Sequence, residues 1–315
     1  MRSGTKPNNL RMEPFRVHIL GCGSALPTLK HFPSMQVVEC RGKLFMVDCG
    51  EGAQLQLRRS GLSFTKIGHV FISHLHGDHC FGLIGMISTF GLLGRTASLH
   101  VYAPGELENL LQRQMAMFCR DLGYEVCFHA VDTNVRQVVY EDRSLTVETL
   151  PLDHRMPTCG YLFREKPSLP HIRRDMIDYY QIPVSQINNI KAGADYVLDD
   201  GTLVPHERLV TPADAPRAYA YCSDTAFMPH LHKWLEKVNT LYHESTYADD
   251  NLVMAQKYHH STARQAALVA AEAGVGQLLL GHYSSRYDDE KKLLNEALRV
   301  FPNTRLTTEM DVIDV

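Results

Sequence analysis

The sequence predicts a mixed α/β fold in which two β-sheets are flanked by helices. Short apolar, β-rich runs recur along the 315 residues, and segments with helical spacing lie between several of them. The first three predicted strands have only short connections, which a purely parallel sheet does not allow. With 44% hydrophobic and 21% charged residues, the composition is globular and excludes a disordered or fibrous chain.

The strands are predicted from apolar runs that are rich in β-branched and aromatic residues. They cover residues 15–20, 36–40, 43–48, 69–74, 145–150, 218–224, 239–245 and 277–282.

The helices are predicted where apolar residues recur at helical spacing. They cover residues 53–60, 81–93, 108–119, 262–273 and 289–301. The helix over 262–273 has the clearest ends, because Thr262 and Gln265 match a capping box and Gly274 suits the C-terminus.

We expect one domain over residues 1–315, with residues 164–217 as an excursion from its core. That segment is polar and punctuated by prolines, with two possible helices at about 172–180 and 184–191 and a turn at 199–201. Loops this long are usually functional or disordered. The polar residues 1–11 are expected to form a disordered lead, since they lack the apolar stretch of a signal peptide.

Charge and cysteine usage exclude several classes of protein. The formal net charge of −3 argues against a uniformly basic nucleic-acid binder, and no apolar run approaches the roughly 20 residues of a membrane span. The eight cysteines include no CxxC pair, so we expect reduced thiols. Gly21-Cys22-Gly23 follows a strand but is not continued as a dinucleotide-binding motif.

The strongest local signal is a run of metal-ligand residues after the predicted strand at 69–74. Its members are His74, His76, Asp78 and His79. Alternation along an extended backbone predicts that His74, His76 and Asp78 converge, while Gly77 lets His79 point elsewhere. Imidazole and carboxylate ligands suit Zn²⁺, and four ligands in six residues favour two adjacent metals.

Three further candidates follow other apolar runs, where α/β folds place their sites. His154 follows residues 145–150 beside Asp153, Asp224 follows 218–223, and His282 follows 277–281. Together they can complete two metal sites, with Asp224 as the bridging carboxylate. Two-metal sites suit phosphodiester hydrolysis, although acyl hydrolysis is also compatible.

These residues resemble the HxHxDH signature of the metallo-β-lactamase fold, and further segments are similar to the ribonuclease Z family of transfer-RNA 3′-processing endonucleases. The resemblance runs in order from about residue 17 to 287. It rests on GCGSALPT (21–28), DCGEGAQLQLRR (48–59), FISHLHGDHCFGL (71–83), STFGLLGR (88–95), HEST (243–246), HHST (259–262) and GHYSSRY (281–287). It implies a four-layer αββα sandwich with an inserted substrate-binding arm.

The resemblance also implies roles for the site residues. His74, His76 and His154 would hold one metal, and Asp78, His79 and His282 the other, with Asp224 between them. Asp78 would also be the general base. His260 would protonate the leaving oxygen, and Glu244 with His243 would orient His260. Asp48 is expected to support the ligands from behind, and His259 is the rival of His260.

By the same resemblance, the enzyme would carry two Zn²⁺ per subunit, with Mn²⁺ or Mg²⁺ as possible substitutes. It would be a cytoplasmic homodimer, without a membrane partner, that removes the 3′ trailer of precursor transfer RNA. The residues of the arm that would contact RNA are Arg164, Lys166, Arg173, Arg174 and Lys191.

The chain departs from the family in three places. His31-Phe32 stands where the family has arginine-asparagine in a loop linked to reading the trailer. HEST replaces HEAT, and the arm lacks the family's Gly-Pro-rich turn. Two other functions stay open on the residues alone. One is a hydrolase of the same fold that acts on a small phosphodiester or thioester, and the other is a non-catalytic RNA-binding relative.

Overall fold

The computed structural model describes residues 13–315, so the lead predicted at 1–11 lies outside the described residues. The chain divides into two compact units. The larger contains Glu13–Asp142, Thr146–Arg164 and Arg217–Val315, and the smaller contains Arg143–Leu145 and Glu165–Pro216 among its described residues. Within residues 13–315, none of the helices combines the length and the apolar character needed to cross a membrane.

The first sheet of the larger unit has seven strands in the order β18-β1-β2-β3-β4-β5-β6. Its strands β1 to β3 and β18 pair antiparallel, whereas β3 to β6 are parallel. The bounds are β1 Phe15–Gly21, β2 Met35–Cys40, β3 Lys43–Val47, β4 Ile67–Phe71, β5 Leu99–Pro104, β6 Val126–Val131 and β18 Val312–Asp314.

The second sheet also has seven strands, in the order β17-β16-β15-β14-β9-β8-β7. Strands β14 to β17 are parallel, so their carboxyl ends lie at one edge of the sheet. The bounds are β7 Val138–Glu141, β8 Leu145–Leu152, β9 Thr158–Glu165, β14 Ala218–Cys222, β15 Thr240–Glu244, β16 Gln277–Gly281 and β17 Thr304–Leu306.

The two sheets pack face to face through aromatic side chains. The ring centroids of Phe71 and Tyr161 are 5.2 Å apart, and those of Phe45 and Phe163 are 5.9 Å apart. All four rings are buried, and each contributes about 1.5–3 kcal/mol by leaving water. The sheets therefore form the two inner layers of the unit.

Helices cover the outer faces of the sheets. Helices α1, α3 and α4 share an apolar core with the first sheet, and α9 packs against β15 and β16 with α10 beside it. The bounds are α1 Ala53–Ser60, α2 Gly77–Cys80, α3 Leu83–Leu92, α4 Glu106–Phe118, α8 Leu252–Tyr258, α9 Ala263–Ala273 and α10 Lys291–Leu298. Short 3₁₀ turns lie at Phe64–Lys66, Pro229–Trp234 and Asp249–Asn251. The predicted two-sheet α/β architecture is confirmed.

The smaller unit has a core of its own, built on Ile182, Ile190, Val204 and Leu209. Two short antiparallel strand pairs, β10 with β13 and β11 with β12, accompany three short helices. The bounds are β10 His171–Ile172, α5 Arg174–Tyr180, α6 Val184–Lys191, β11 Tyr196–Val197, β12 Leu203–Val204, α7 His206–Leu209 and β13 Val210–Thr211. Both helices predicted in this segment are present. Residues 165–216 contain five Lys and Arg against eight Asp and Glu, so the unit is acidic as a whole.

The predicted elements of the core are all present, with ends shifted by up to three residues, and α1 matches its prediction at both ends. In the larger unit, the prediction missed strands β5, β6, β7, β9, β17 and β18 and helices α2 and α8. Strand β5 is short and includes His100 and Pro104, which weaken its apolar pattern. Its alternate residues Leu99, Val101 and Ala103 are nevertheless apolar and share a core with α3 and α4.

Candidate metal centre

The ligand-rich loop after β4 changes conformation at Gly77. His74 and His76 continue from the strand, but Gly77–Cys80 form the short helix α2, so Asp78 and His79 lie on a helical turn. The expectation that strand alternation aligns Asp78 with His74 and His76 is therefore wrong. The short helix instead directs Asp78 and His79 together toward His282.

The first group of facing ligand atoms comprises His74, His76, His154 and Asp224. His76 Nδ1 lies 3.1 Å from His74 Nε2 and 3.3 Å from His154 Nε2. Asp224 Oδ2 lies 3.6 Å from His74 Nε2 and 3.8 Å from His154 Nε2. The group combines residues from the ends of β4, β8 and β14.

The second group comprises Asp78, His79 and His282, and the other oxygen of Asp224 faces it. Asp78 Oδ2 lies 3.4 Å from His79 Nε2 and 3.5 Å from His282 Nε2. Asp224 Oδ1 lies 3.4 Å and 3.2 Å from the same two nitrogens. One carboxylate thus faces both groups, as a bridging ligand requires.

The hydrogen bonds behind the imidazoles determine which nitrogen faces the centre. The hydroxyl of Ser73 donates to Asp48 and accepts from His74 Nδ1 at 3.0 Å, and the carboxylate of Asp48 accepts from His79 Nδ1 at 2.7 Å. The backbone carbonyl of His259 accepts from His154 Nδ1 at 2.8 Å. These three imidazoles donate outward, so in the neutral ring a lone pair on Nε2 points inward, as metal ligation requires.

Thr246 orients His282 in the same way. Its hydroxyl donates to Glu244 Oε2 at 2.7 Å and accepts from His282 Nδ1 at 2.8 Å. Sequence reasoning missed Ser73 and Thr246 as supporting residues, although both belong to the quoted motifs. Asp48, which it expected, is fully buried and also accepts a hydrogen bond from Tyr221.

Unpaired buried atoms provide a test of whether these residues fit metal ions. Asp78 Oδ2, His79 Nε2, Asp224 Oδ1 and His282 Nε2 are buried and have no hydrogen-bond partner among the described residues. Leaving such atoms unpaired costs free energy, which a cation between them would recover. The donor set of imidazoles and carboxylates therefore fits divalent ions of the zinc type.

Burial and mutual charge shift the pKa values of the ligands. Burial and the neighbouring His79 hold the pKa of His74 well below its usual value, and burial lowers the pKa of His76 and His154. Burial opposes ionisation of Asp78 and Asp224, but the surrounding histidines outweigh it and lower both pKa values. His79 differs, because burial lowers its pKa but the carboxylates of Asp78, Asp224 and Asp48 outweigh burial and raise it. An ion bound there must therefore displace a proton from His79, whereas His74, His76 and His154 are already neutral, as metal ligation requires.

His260 and Glu244 form a buried acid–base pair beside this centre. Glu244 Oε1 accepts from His260 Nδ1 at 2.9 Å, and the carboxylate also accepts from the backbone N–H groups of Thr225, Thr246 and Ser261. Burial lowers the pKa of His260, but the charge of Glu244 outweighs burial and raises it to about 9. His260 is therefore an imidazolium at neutral pH, held by a fixed carboxylate.

His243 and His259 have different surroundings from His260. His243 Nδ1 donates to the backbone carbonyl of Glu244 at 2.8 Å, and none of the hydrogen bonds between described residues joins it to His260. Strand alternation in β15 directs it away from the face that Glu244 uses. The ring of His259 pairs with Asp153 at 3.1 Å and is partly exposed. The structure thus brings His260, and neither of these two, to the metal-ligand group.

A cleft of about 350 Å³ opens over the ligand groups, and two arginines stand at its walls. The guanidinium of Arg155 lies 5.3 Å from the ring centre of Tyr258, and that of Arg286 lies 5.2 Å from the ring centre of Tyr247. Stacking of this kind holds an arginine in place while its N–H groups stay available. Sequence reasoning missed Arg155, whose signal is its position directly after the ligand His154.

The five predicted RNA contacts do not share one environment. Arg164 belongs to the larger unit, and its guanidinium donates to the carbonyl of Glu236 at 3.3 Å. Arg173 pairs with Asp175 at 2.7 Å. Arg174 is exposed, and Lys166 and Lys191 are partly buried.

Comparison with known proteins gives relatives over nearly the whole chain. A ribonuclease Z from Bacteroides fragilis is 58% identical over 298 residues, covering 95% of this chain and 98% of that protein. A family model described as anti-Pycsar protein Apyc1 matches residues 15–166, just under half of the chain.

Solved structures share the fold. The short form of human tRNase Z superposes with a TM-score of 0.68 at 23% identity, covering 95% of this chain and 98% of that one. The metallo-β-lactamase fold protein YhfI from Bacillus subtilis gives 0.67 at 19% identity, covering 96% and 100%. The two sheets and their helices are therefore those of the metallo-β-lactamase fold.

Proposed function

The chain belongs to the ribonuclease Z family, and we propose that its buried histidine and aspartate groups are the centre at which it cuts precursor transfer RNA. It is a metal-dependent endoribonuclease that removes the 3′ trailer of the precursor. The cut leaves a 3′-hydroxyl on the transfer RNA and a phosphate on the trailer.

The observation that carries the catalytic proposal is the shared carboxylate. Asp224 faces three histidines with one oxygen and the second group with the other, and His260 lies within the same cluster. We assign His74, His76 and His154 to one ion and Asp78, His79 and His282 to the other. Two Zn²⁺ per subunit suit these ligands, and Mn²⁺ or Mg²⁺ are the alternatives.

The ions, when bound, would polarise the scissile phosphate and lower the pKa of water at the centre. Asp78 stays ionised in its buried position, so its carboxylate can accept the proton of the attacking water. As the water oxygen bonds to phosphorus, the bond from phosphorus to the 3′ oxygen breaks. His260 donates its Nε2 proton to that oxygen, while Glu244 holds the ring through Nδ1.

Arg155 and Arg286 are placed to bind the phosphates that flank the scissile bond. They stand on tyrosine rings at the walls of the cleft, and a guanidinium is suited to phosphate recognition. The smaller unit would dock the body of the transfer RNA. Because that unit is acidic overall, we place its phosphate contacts at Arg173, Arg174, Lys166 and Lys191.

We also propose a homodimer in the cytoplasm, where bacterial transfer-RNA precursors are made. Helices α1, α3 and α4 expose large apolar side chains, which is typical of a surface that meets a partner. They are Leu55, Leu92, Leu110, Met117 and Phe118, together with Leu93 directly after α3.

A cleavage map tests the proposed function. The zinc-loaded protein is incubated with an end-labelled precursor that carries a 3′ trailer, and the cut is resolved to one nucleotide. We expect a single cut after the discriminator base or the CCA end. His260→Ala should slow it by about 10²–10⁴-fold, as expected for loss of a general acid.

The matched control is His230→Ala, because His230 is exposed and meets the ring of Trp234 edge to face, outside the cleft. It should cut as fast as the wild type. The protein could instead bind two metals and hydrolyse a small phosphodiester but leave the precursor uncut. That result would favour a small-molecule hydrolase. Folded protein without bound metal would favour a non-catalytic RNA-binding relative.

A further inference from the structure

A second cluster of ligand-type side chains lies outside the centre described above. Cys22 follows β1, His31 lies in the loop between β1 and β2, and Glu309 lies between β17 and β18. Their ligand atoms lie within 4.8 Å of one another. Cys22 Sγ is 3.4 Å from His31 Nδ1 and 3.6 Å from Glu309 Oε1, and His31 Nδ1 is 3.0 Å from Glu309 Oε2.

We propose that Cys22, His31 and Glu309 form an additional metal site that binds Zn²⁺ or a similar thiophilic divalent ion. Zinc bonds of about 2.0–2.3 Å in a tetrahedron place ligand atoms about 3.3–3.6 Å apart. The three distances in the cluster are 3.0–3.6 Å, so an ion fits with small adjustments of the side chains. A thiolate, an imidazole and a carboxylate are three of the zinc ligands used by proteins.

Two oxygens and an imidazole nitrogen surround the sulfur of Cys22. Its sulfur is fully buried, with the backbone carbonyl of Thr307 at 3.5 Å, Glu309 at 3.6 Å and His31 at 3.4 Å. The Thr307 carbonyl also accepts from the Tyr283 hydroxyl at 3.1 Å, and Glu309 Oε1 accepts from the Phe32 N–H at 2.9 Å, so each oxygen keeps a lone pair for a further partner. The sulfur of Cys22, the nitrogen of His31 and the oxygens of Glu309 and Thr307 therefore surround one buried position that a divalent ion can occupy.

A second carboxylate supports the proposed ligand from behind. His31 Nε2 lies 3.2 Å from Glu290 Oε1, and Glu290 in turn accepts from Lys30 Nζ at 2.6 Å. This places a carboxylate on the imidazole nitrogen that faces away from the proposed ion, an arrangement that orients ligating histidines. A divalent ion that displaces one proton from Cys22 and one from His31 leaves the net charge of the cluster unchanged.

The site has an entry path and a place in the fold. A cavity of about 340 Å³ is lined by Lys30, His31 and Glu290. The loop that carries His31 also contributes Pro27 and Pro33 to a cleft with His76 and Asp78. An ion at Cys22 would therefore tie the C-terminal segment at Glu309 to the loop that borders the candidate centre, without contacting the two ions proposed there.

Cobalt substitution tests the site on the full-length chain, because the ligands proposed for the catalytic pair include no sulfur. Metal-free protein is titrated with Co²⁺, and the near-ultraviolet sulfur-to-cobalt charge-transfer band is recorded together with the bound metal per chain. We expect the band in the wild type and three ions per chain. Cys22→Ser should abolish the band and leave two ions. Cys40→Ser is the matched control, since Cys40 is also buried but lies outside the cluster.

Glu309→Gln keeps the thiol and provides a second variant if Cys22→Ser fails to fold. We expect it to keep two ions and to weaken Co²⁺ binding at the third site at least tenfold. Burial and Glu309 raise the pKa of Cys22, so binding should also strengthen as pH rises. A wild type that binds two ions and shows no charge-transfer band would overturn the proposal. A band that survives Cys22→Ser would do so as well.

Discussion

At the scale of single residues, the candidate centre depends on the groups that hold each imidazole. Glu244 is fully buried and accepts hydrogen bonds from His260 and from three backbone N–H groups, so its position does not depend on a mobile side chain. Such a carboxylate stabilises the imidazolium form of His260. The protonation of His260, and with it the proposed proton donor, is therefore set by Glu244.

Glu244→Gln should move the alkaline limit of cleavage to lower pH. The raised pKa of His260 keeps the acid form present below about 9, and activity should fall as pH rises through that value. Without the charge of Glu244, burial lowers the pKa of His260 and only Asp224 still raises it, so the alkaline limit should move to lower pH. The measurement is the single-turnover cleavage rate against pH at saturating metal. An unchanged alkaline limit in the variant would show that another group is the acid.

At the scale of elements, helix α9 fixes the segment that carries His260. Thr262 is its N-cap, and the side chain accepts from the Gln265 backbone N–H while Gln265 Oε1 accepts from the Thr262 backbone N–H. The predicted capping box is therefore confirmed. His260 comes two residues earlier, so the start of α9 and the position of the imidazole are set together.

Thr262→Ala should lower the free energy of unfolding by about 1 kcal/mol, because the Gln265 N–H at the helix start loses its acceptor and Asp249 loses the hydrogen bond from the Thr262 hydroxyl. Urea unfolding of the metal-free protein, followed by circular dichroism, measures the change. Thr262→Ser keeps the hydroxyl and should stay close to the wild type. Equal losses in both variants would mean that the methyl group, rather than the cap, stabilises this position.

At the scale of the whole molecule, the parallel strands β14, β15 and β16 bring residues distant in the chain to one edge. Asp224, Glu244 and His282 each lie at or just after a strand end there. The smaller unit is inserted between β9 and β14, and Arg164 and Ala218 are paired neighbours in the sheet. A short linker can therefore replace the insertion without opening the second sheet.

Replacing residues 168–214 with a short Gly/Ser linker should separate docking from chemistry. The insertion has its own apolar core, so we expect the larger unit to keep its fold and its metals. The kcat/KM for precursor transfer RNA should fall at least tenfold, or about 1.4 kcal/mol, while hydrolysis of a small phosphodiester stays unchanged. The two substrates are compared on the same preparation. Equal losses on both would argue against a docking role.

The sequence by itself predicted the two-sheet architecture, the capping box of α9 and the candidate metal ligands, whereas the roles of His260 and Glu244 were implied by the family resemblance. These are local signals, because periodicity, caps and ligand spacing lie within a few neighbouring residues. It missed β5 and β6, whose apolar runs are short and interrupted by His100, Pro104 and His129, and whose burial depends on helices elsewhere in the chain. It also misjudged Asp78, since strand alternation ends at Gly77.

Only the tertiary structure decided which groups support each ligand. Ser73, Thr246 and the carbonyl of His259 orient imidazoles through contacts that no spacing rule describes. Within the cluster of Cys22, His31 and Glu309, the paired His31 and Glu309 are 278 residues apart in the chain. Local pattern determines which element a residue occupies, whereas the hydrogen-bond partner of a buried atom depends on which elements the packed core places beside it.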